Sequence, residues 1–388
     1  MGVKADVVPH QAAPSARYPA VRPSTRQSER TLALDGLRGL AALSVFFSHA
    51  RGMIPTTSIL EALQSTPARI LWDGAAAVCL FFVLSGFVLA LPFVGPTSRR
   101  LDVGDFLVRR VFRIYPAYFL ALGLSLVLRL HGPVLSTEAS VWFREIWTSP
   151  VTARDLIRHA MMIGPKFNTR LIDPVIWSMV IEMRMSILMP AFILVLRRAS
   201  VRTEFFVLAA VALLGNAPFF RFAHAAPFFI VGIQVAKHRL RIVSWVLGLS
   251  FWWRLAFLLA SLALYGGRMF TPEASTLVDY VIGVGACGLI LCVLSFPPCN
   301  AIASGPIALF LGNSSYSFYL VHLPVLVFLT SWFLPITHSL LGCWVSGLCA
   351  SLLISAAIRA LVELPSQRLG KRVWPASTAW IRNMVGAA

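Results

Sequence analysis

The chain has 388 residues, 57% of them hydrophobic and 13% charged, with a mean hydropathy of +0.75. That apolar surface exceeds what one globular core can bury, which excludes an ordinary soluble domain and predicts a polytopic membrane protein. The formal net charge of +18 is spread over short loops between apolar segments, the usual product of membrane topology, and argues against nucleic acid as a partner.

Residues 1–31 are rich in Pro, Ala, Ser and Arg and lack the apolar core of a secretory leader, so they read as a disordered cytoplasmic tail. An Arg-rich, acid-poor stretch of this kind also has the composition of an organellar transit peptide. Ten apolar segments follow that are long enough to span: 34–52, 74–95, 115–130, 174–196, 204–220, 223–236, 251–266, 277–297, 307–334 and 340–362. Asn216, Pro218 and Pro227 make the ends of the fifth and sixth the least defined. With the N-terminus placed inside, 21 Lys and Arg lie in the cytoplasmic segments against 10 on the other side, which puts both termini in the cytoplasm. The expectation is an all-α fold of about ten transmembrane helices, one membrane domain over residues 32–372 and a short cytoplasmic tail over 373–388. No repeat period is visible.

The first segment carries Asp35, Arg38 and His49. At 100° per residue all three fall on one face, with Arg38 and His49 about 16 Å apart along the axis. Ionisable groups at bilayer depth cost about 2.5–3.5 kcal/mol, so they face a protein interior or a watery cavity, or else snorkel to the two interfaces. In the second segment, Ser85 and Gly86 of FFVLSGF offer a close-packing seam and one hydroxyl. The run RRVFRIYP sets Arg110 and Arg113 one turn apart; they either anchor the cytoplasmic surface or fork onto the phosphates of an anionic cosubstrate. In the 129–173 loop, Trp142, Trp147 and the stretch Arg154 to Arg158 predict an interfacial amphipathic helix.

WSMVIEMRM buries Glu182 and Arg184 about 200° apart, so each needs its own partner. By helical rise Glu182 reaches a depth near His49, and a Glu–His pair across two helices would suit general acid–base work or serve as a structural pair. LGNSSYSFYLVHLP places Ser315, Tyr319 and His322 on one face. Arg359 and Glu363 are expected to pair locally, with Pro365 ending the last segment. The cysteines Cys79, Cys287, Cys292, Cys299, Cys343 and Cys349 show no CxxC pair and no metal-ligand spacing, and read as packing residues. There is no P-loop, GxSxG elbow, HExxH or Rossmann fingerprint.

Together, DGLRGLAALSVFFSHA, LFFVLSGFVLA, RRVFRIYPAYFL, IWSMVIE, LGNSSYSFYLVHLP and VELPSQRL resemble the acyltransferase-3 family of integral membrane acyltransferases, in order, from about residue 32 to 372. The resemblance implies a ten-helix domain in a cell (inner) membrane. It implies acyl-CoA, most often acetyl-CoA, as cosubstrate with no permanently bound cofactor, and a hydroxyl of a cell-surface or lipid-linked glycan as acceptor. Position by position, His49, Arg38 and Glu182 would be catalytic. Arg110 and Arg113, with Asp35 and Ser85, would bind the cosubstrate, and Tyr319 and His322 the acceptor. The sequence departs from the family at Met183 and Ser186, where a second acidic residue and an aromatic are usual. The competing expectations are a transporter or flippase of a lipid-linked glycan, which also buries Arg, Glu and His in a bundle, and a membrane scaffold indifferent to His49→Ala.

Overall fold

The computed structural model describes residues 25–385 except 56, 96–97, 133–138, 163–167, 216–222 and 272–274, with side chains from 32 to 374 apart from Leu60. The tail over residues 1–24, Asn216 and Pro218 thus lie outside the described residues. Fifteen α-helices follow one another among the described residues, with no strand. They are α1 (Thr25–Gly52), α2 (Ser58–Gln64), α3 (Gly74–Ala90), α4 (Val103–His131), α5 (Val141–Arg144), α6 (Ala153–Met161), α7 (Trp177–Leu196) and α8 (Val201–Gly215). The second half holds α9 (Ala226–Gly248), α10 (Phe251–Tyr265), α11 (Thr276–Ser295), α12 (Pro297–Ala303), α13 (Pro306–Thr337), α14 (Leu340–Ile358) and α15 (Leu364–Val385).

The described part of each of the ten apolar segments lies largely on one of these helices. Among the described residues, five stretches are both long and apolar enough to cross a membrane: Val103–His131, Pro174–Leu196, Thr276–Ser295, Pro306–Thr337 and Leu340–Trp374. The helices α3 and α10 are apolar but shorter, at 17 and 15 residues. Residues 237–248, expected in a cytoplasmic loop, instead extend α9, because buried Glu204 of α8 accepts from Lys237 Nζ (2.5 Å) and His238 Nε2 (2.9 Å) and holds that extension in place. Four of the cysteines are buried as expected, whereas Cys299 is half-buried and Cys349 exposed.

The centre of the bundle is the crossing of α1 and α13. A Cβ added to Gly39 would stand 2.3 Å from the Gly312 amide, and one on Gly312 would stand 2.1 Å from the Asp35 carbonyl. Only glycine lets the two backbones touch, the small-residue packing that membrane helices use. This contact lays the charged stripe of α1 against the Ser315–Tyr319–His322 face of α13.

Two expectations for the end of the chain are corrected. Pro365 does not end the last segment: α14 passes through a π turn (Arg359–Glu363) into α15, and Pro365 directly follows that turn, where the Leu364 N–H reaches back five residues to the Arg359 carbonyl and the α-helical ladder is already interrupted. Nor does Glu363 pair with Arg359. It is 2% exposed and takes Arg113 of α4 instead, together with Ser317 Oγ (2.7 Å) and Gln367 Nε2 (3.2 Å), because a buried carboxylate needs donors that converge on it from several sides. Arg359 turns to Asn313 Oδ1 at 3.2 Å.

Candidate active site

The charged stripe of α1 opens at its first end into a cavity of about 390 Å³, bounded by α3, α4, α7, α13 and the π turn. Four guanidinium groups (Arg38, Arg110, Arg113, Arg359) and three carboxylates (Asp35, Glu182, Glu363) line it, an excess of one positive charge before any ligand enters. Arg38 Nη1 donates to Asp35 Oδ1 (3.0 Å). Arg110 donates from Nη2 to Glu182 Oε1 (2.6 Å) and from Nε to Ser186 Oγ (3.0 Å). Arg113 pairs with Glu363 and lies over the Tyr316 ring, 5.3 Å from its centroid. Ser85 and Tyr319 are on the cavity wall.

The expected Glu182–His49 pair is not formed. Glu182 lies with Arg38 and Arg110 at the arginine end of the bundle, and an adjacent guanidinium satisfies a part-buried carboxylate better than a neutral imidazole can. His49 is held by His322 instead.

The lining of the cavity stops at Tyr319, whose hydroxyl shares a 2.7 Å hydrogen bond with Ser178 Oγ. One turn on, the His322 ring lies 5.8 Å from that of Tyr319. His322 Nδ1 donates to the carbonyls of Tyr319 (2.8 Å) and Phe318 (3.2 Å). Carbonyls only accept, so in neutral His322 the lone pair is on Nε2. His49 Nδ1, 2.9 Å away, must therefore be the donor in the His49–His322 bond. The remaining lone pair of neutral His49 is then on Nε2. A backbone bond two steps removed thus fixes which nitrogen of His49 can take a proton.

Trp142 of α5 stacks on His49, with centroids 5.9 Å apart and planes within 11°. It was expected as an interfacial anchor, as was Trp147, which donates to the Ile172 carbonyl (2.7 Å). The expected amphipathic helix is present as α6, closed by a capping box between Thr152 and Asp155. It does not lie free at the surface. Tyr115 and Tyr118 of α4 donate to the carbonyls of Met161 and His159, and Arg129 to those of Leu171 and Ser149, so the segment runs along α4 over a rise of about 21 Å.

Sequence reasoning missed several contributors here, among them Arg359, which lines the cavity but was read only as a local ion-pair partner. Trp142 has no local signal that separates it from the other tryptophans, and Asn313 and Glu363 sit within recognised stretches but were not placed in the site.

Asp173, just ahead of α7, is fully buried with Oδ1 accepting from the Val175 amide (3.2 Å) and Oδ2 unpartnered. Burial pushes its carboxyl up to about 8, opposed by the Val175 N–H. Unfolded aspartate titrates near 3.9, so this raised folded value gives stability that is complete below about pH 4 and lost as pH rises through 8. The thermal midpoint in detergent should fall from about pH 5 to about pH 8.5 and be flat in Asp173→Asn. A parent profile without that fall would show the carboxyl to be solvated.

Among the described residues, helices without strands, several of them apolar and of membrane-spanning length, surround a charged cavity, the pattern of an integral membrane protein. The chain belongs to the acyltransferase-3 family: the family's sequence model, described as "Acyltransferase domain", matches residues 31–360. Over 100 residues it is 40% identical to "Protein 2 in picA locus" of Rhizobium radiobacter, an alignment covering 25% of this chain and 44% of that protein's length. No solved structure matches.

Proposed function

We propose that the protein transfers an acyl group, acetyl by family resemblance, from acyl-CoA to a hydroxyl of a cell-surface or lipid-linked glycan. The observation that carries this reading is an arginine-lined cavity whose wall residue Tyr319 adjoins a histidine pair with one free ring nitrogen. Both termini and the arginine end would face the cytoplasm, with all ten apolar helices in a cell inner membrane. Acyl-CoA would enter from that side. Arg110 and Arg113 would hold its phosphates with the N–H groups their carboxylate partners leave free. Arg38, steadied by Asp35, would hold the inner end of the path, and Ser85 and Tyr319 would line it. Glu182 would act through Arg110, by keeping its fork oriented.

His49 Nε2 would accept the proton of the acceptor hydroxyl as its oxygen attacks the thioester carbonyl. The C–O bond forms, the C–S bond breaks, and the leaving thiolate takes up a proton. General base catalysis of this kind is worth about 10²–10⁴-fold. Incubation of the purified protein with labelled acyl-CoA and a hydroxyl acceptor tests the reading: covalent transfer of label supports it, and vectorial movement of a lipid-linked glycan without transfer replaces it with a transporter.

His322 in this scheme is a positioning residue. His322→Ala frees the Nδ1 side of His49, so kcat should fall about tenfold to a hundredfold, within the range reported for outer-shell partners, with KM for acyl-CoA unchanged. The pH profile should change shape as well. A KM effect alone would reassign His322 to binding.

A further inference from the structure

A second cavity, of about 700 Å³, lies on the reverse side of α1 from the charged stripe. On α1 its lining runs from Leu37 to Arg51, a length of about 21 Å, so it is a narrow cleft parallel to the helix axis. The volume is within the range of roughly 300–1,000 Å³ typical of ligand sites. Its wall is almost wholly aliphatic and aromatic except at the histidine end, where Arg51, Trp72 and Trp344 come together. That these three share one level follows from the packing: Gly74, two residues after Trp72, abuts Ser48, and Thr330 reaches Met53 Sδ (3.8 Å) while hydrogen-bonding Cys343.

All three bring N–H groups that lack an acceptor. Arg51 Nε, Trp72 Nε1 and Trp344 Nε1 are each buried without a hydrogen-bond partner. Among the described residues Arg51 forms no ion pair, because the nearby Asp73 is already taken by Arg69 (3.2 Å) and by the Ala76 amide (2.9 Å). A buried donor without a partner costs about 1–3 kcal/mol, more if charged, and three at one mouth describe a site complementary to an acceptor-only, anionic group.

We propose that this cleft binds a membrane phospholipid, with one hydrocarbon chain along α1 and the phosphate accepting from Arg51, Trp72 and Trp344. The chain satisfies the apolar wall, and the phosphate satisfies the donors and the one uncompensated charge. Since α1 also carries His49 on its other side, the lipid would act as a wedge that sets the position of that helix. The site is separate from the acyl-transfer cavity and independent of what the enzyme acylates.

The test uses the full chain reconstituted in vesicles containing a photoactivatable lipid, either phosphatidylglycerol or diacylglycerol with the same chains. Cross-links are mapped by peptide mass spectrometry. The expected result is at least fivefold more labelling of cleft peptides by phosphatidylglycerol than by diacylglycerol. Arg51→Met combined with Trp72→Phe and Trp344→Phe, which remove the donors and keep most of the shape, should bring that ratio to about one. Leu43→Trp, which fills the cleft, should abolish cleft labelling while leaving labelling of lipid-facing Leu353 unchanged. Equal labelling by the two lipids, or labelling spread evenly over lipid-facing helices, overturns the proposal. So does displacement of phosphatidylglycerol by a polyprenyl phosphate at substoichiometric amounts, which would assign the cleft to a lipid-linked acceptor. None of these readouts depends on acyl transfer, so failure here leaves the proposed reaction untouched.

Discussion

His49→Ala should reduce acyl transfer by about 10²–10⁴-fold while leaving the fold in place. The side chain is only half-buried, and its loss removes one hydrogen bond to His322 and one stacking contact with Trp142. Each is worth about 1 kcal/mol, small beside the packing of α1 on α13. The thermal midpoint should therefore move by a few degrees at most. His49→Gln retains a donor toward His322 but has no basic nitrogen, and should be as inactive as the alanine variant. If His49→Gln kept more than a tenth of the parent rate, the imidazole would be a structural member of the pair and proton acceptance would belong elsewhere.

Arg113→Ala should be among the most destabilising single changes at the arginine end, by about 3–5 kcal/mol, because it leaves the Glu363 carboxylate buried without its counter-charge. Glu363→Gln should cost much less: the amide keeps the shape and the bonds to Ser317 and Arg113, and the half-buried guanidinium reaches water. Arg113→Met with Glu363→Leu together should recover most of the loss, since an apolar pair needs no counter-ion. Thermal midpoints in detergent, with the double-mutant cycle, check the order. If Arg113→Ala matched the parent, water would reach the Glu363 carboxylate and Arg113 would not be its essential partner. The same variants separate stability from binding. Arg110→Ala should raise KM for acyl-CoA more than it lowers the thermal midpoint, because its partner Glu182 is far less buried than Glu363.

The helices were legible because membrane segments announce themselves: long apolar runs bounded by charge and by capping residues such as Asp73 and Asp102, which accept from the Ala76 and Asp105 amides. The charged residues that matter were legible too, since Asp35, Arg38, Glu182 and His322 stand out in apolar surroundings. What each touches was not. A helical wheel gives the face a residue shares with its own neighbours, but not the rotation of that helix toward another.

His49 was expected to meet Glu182 on grounds of depth and instead meets His322, 273 positions away, because Gly39 and Gly312 let α1 press against α13. Glu363 was expected to pair within its own helix and instead pairs with Arg113, because burial raised the number of donors it needed beyond what one helix turn can supply. The sequence by itself determined a membrane bundle of this family and the residues able to do acid–base and phosphate chemistry. The tertiary structure alone decided the pairings, the tautomer of His49 and the two cavities on opposite sides of α1, since these depend on contacts between segments far apart in the chain.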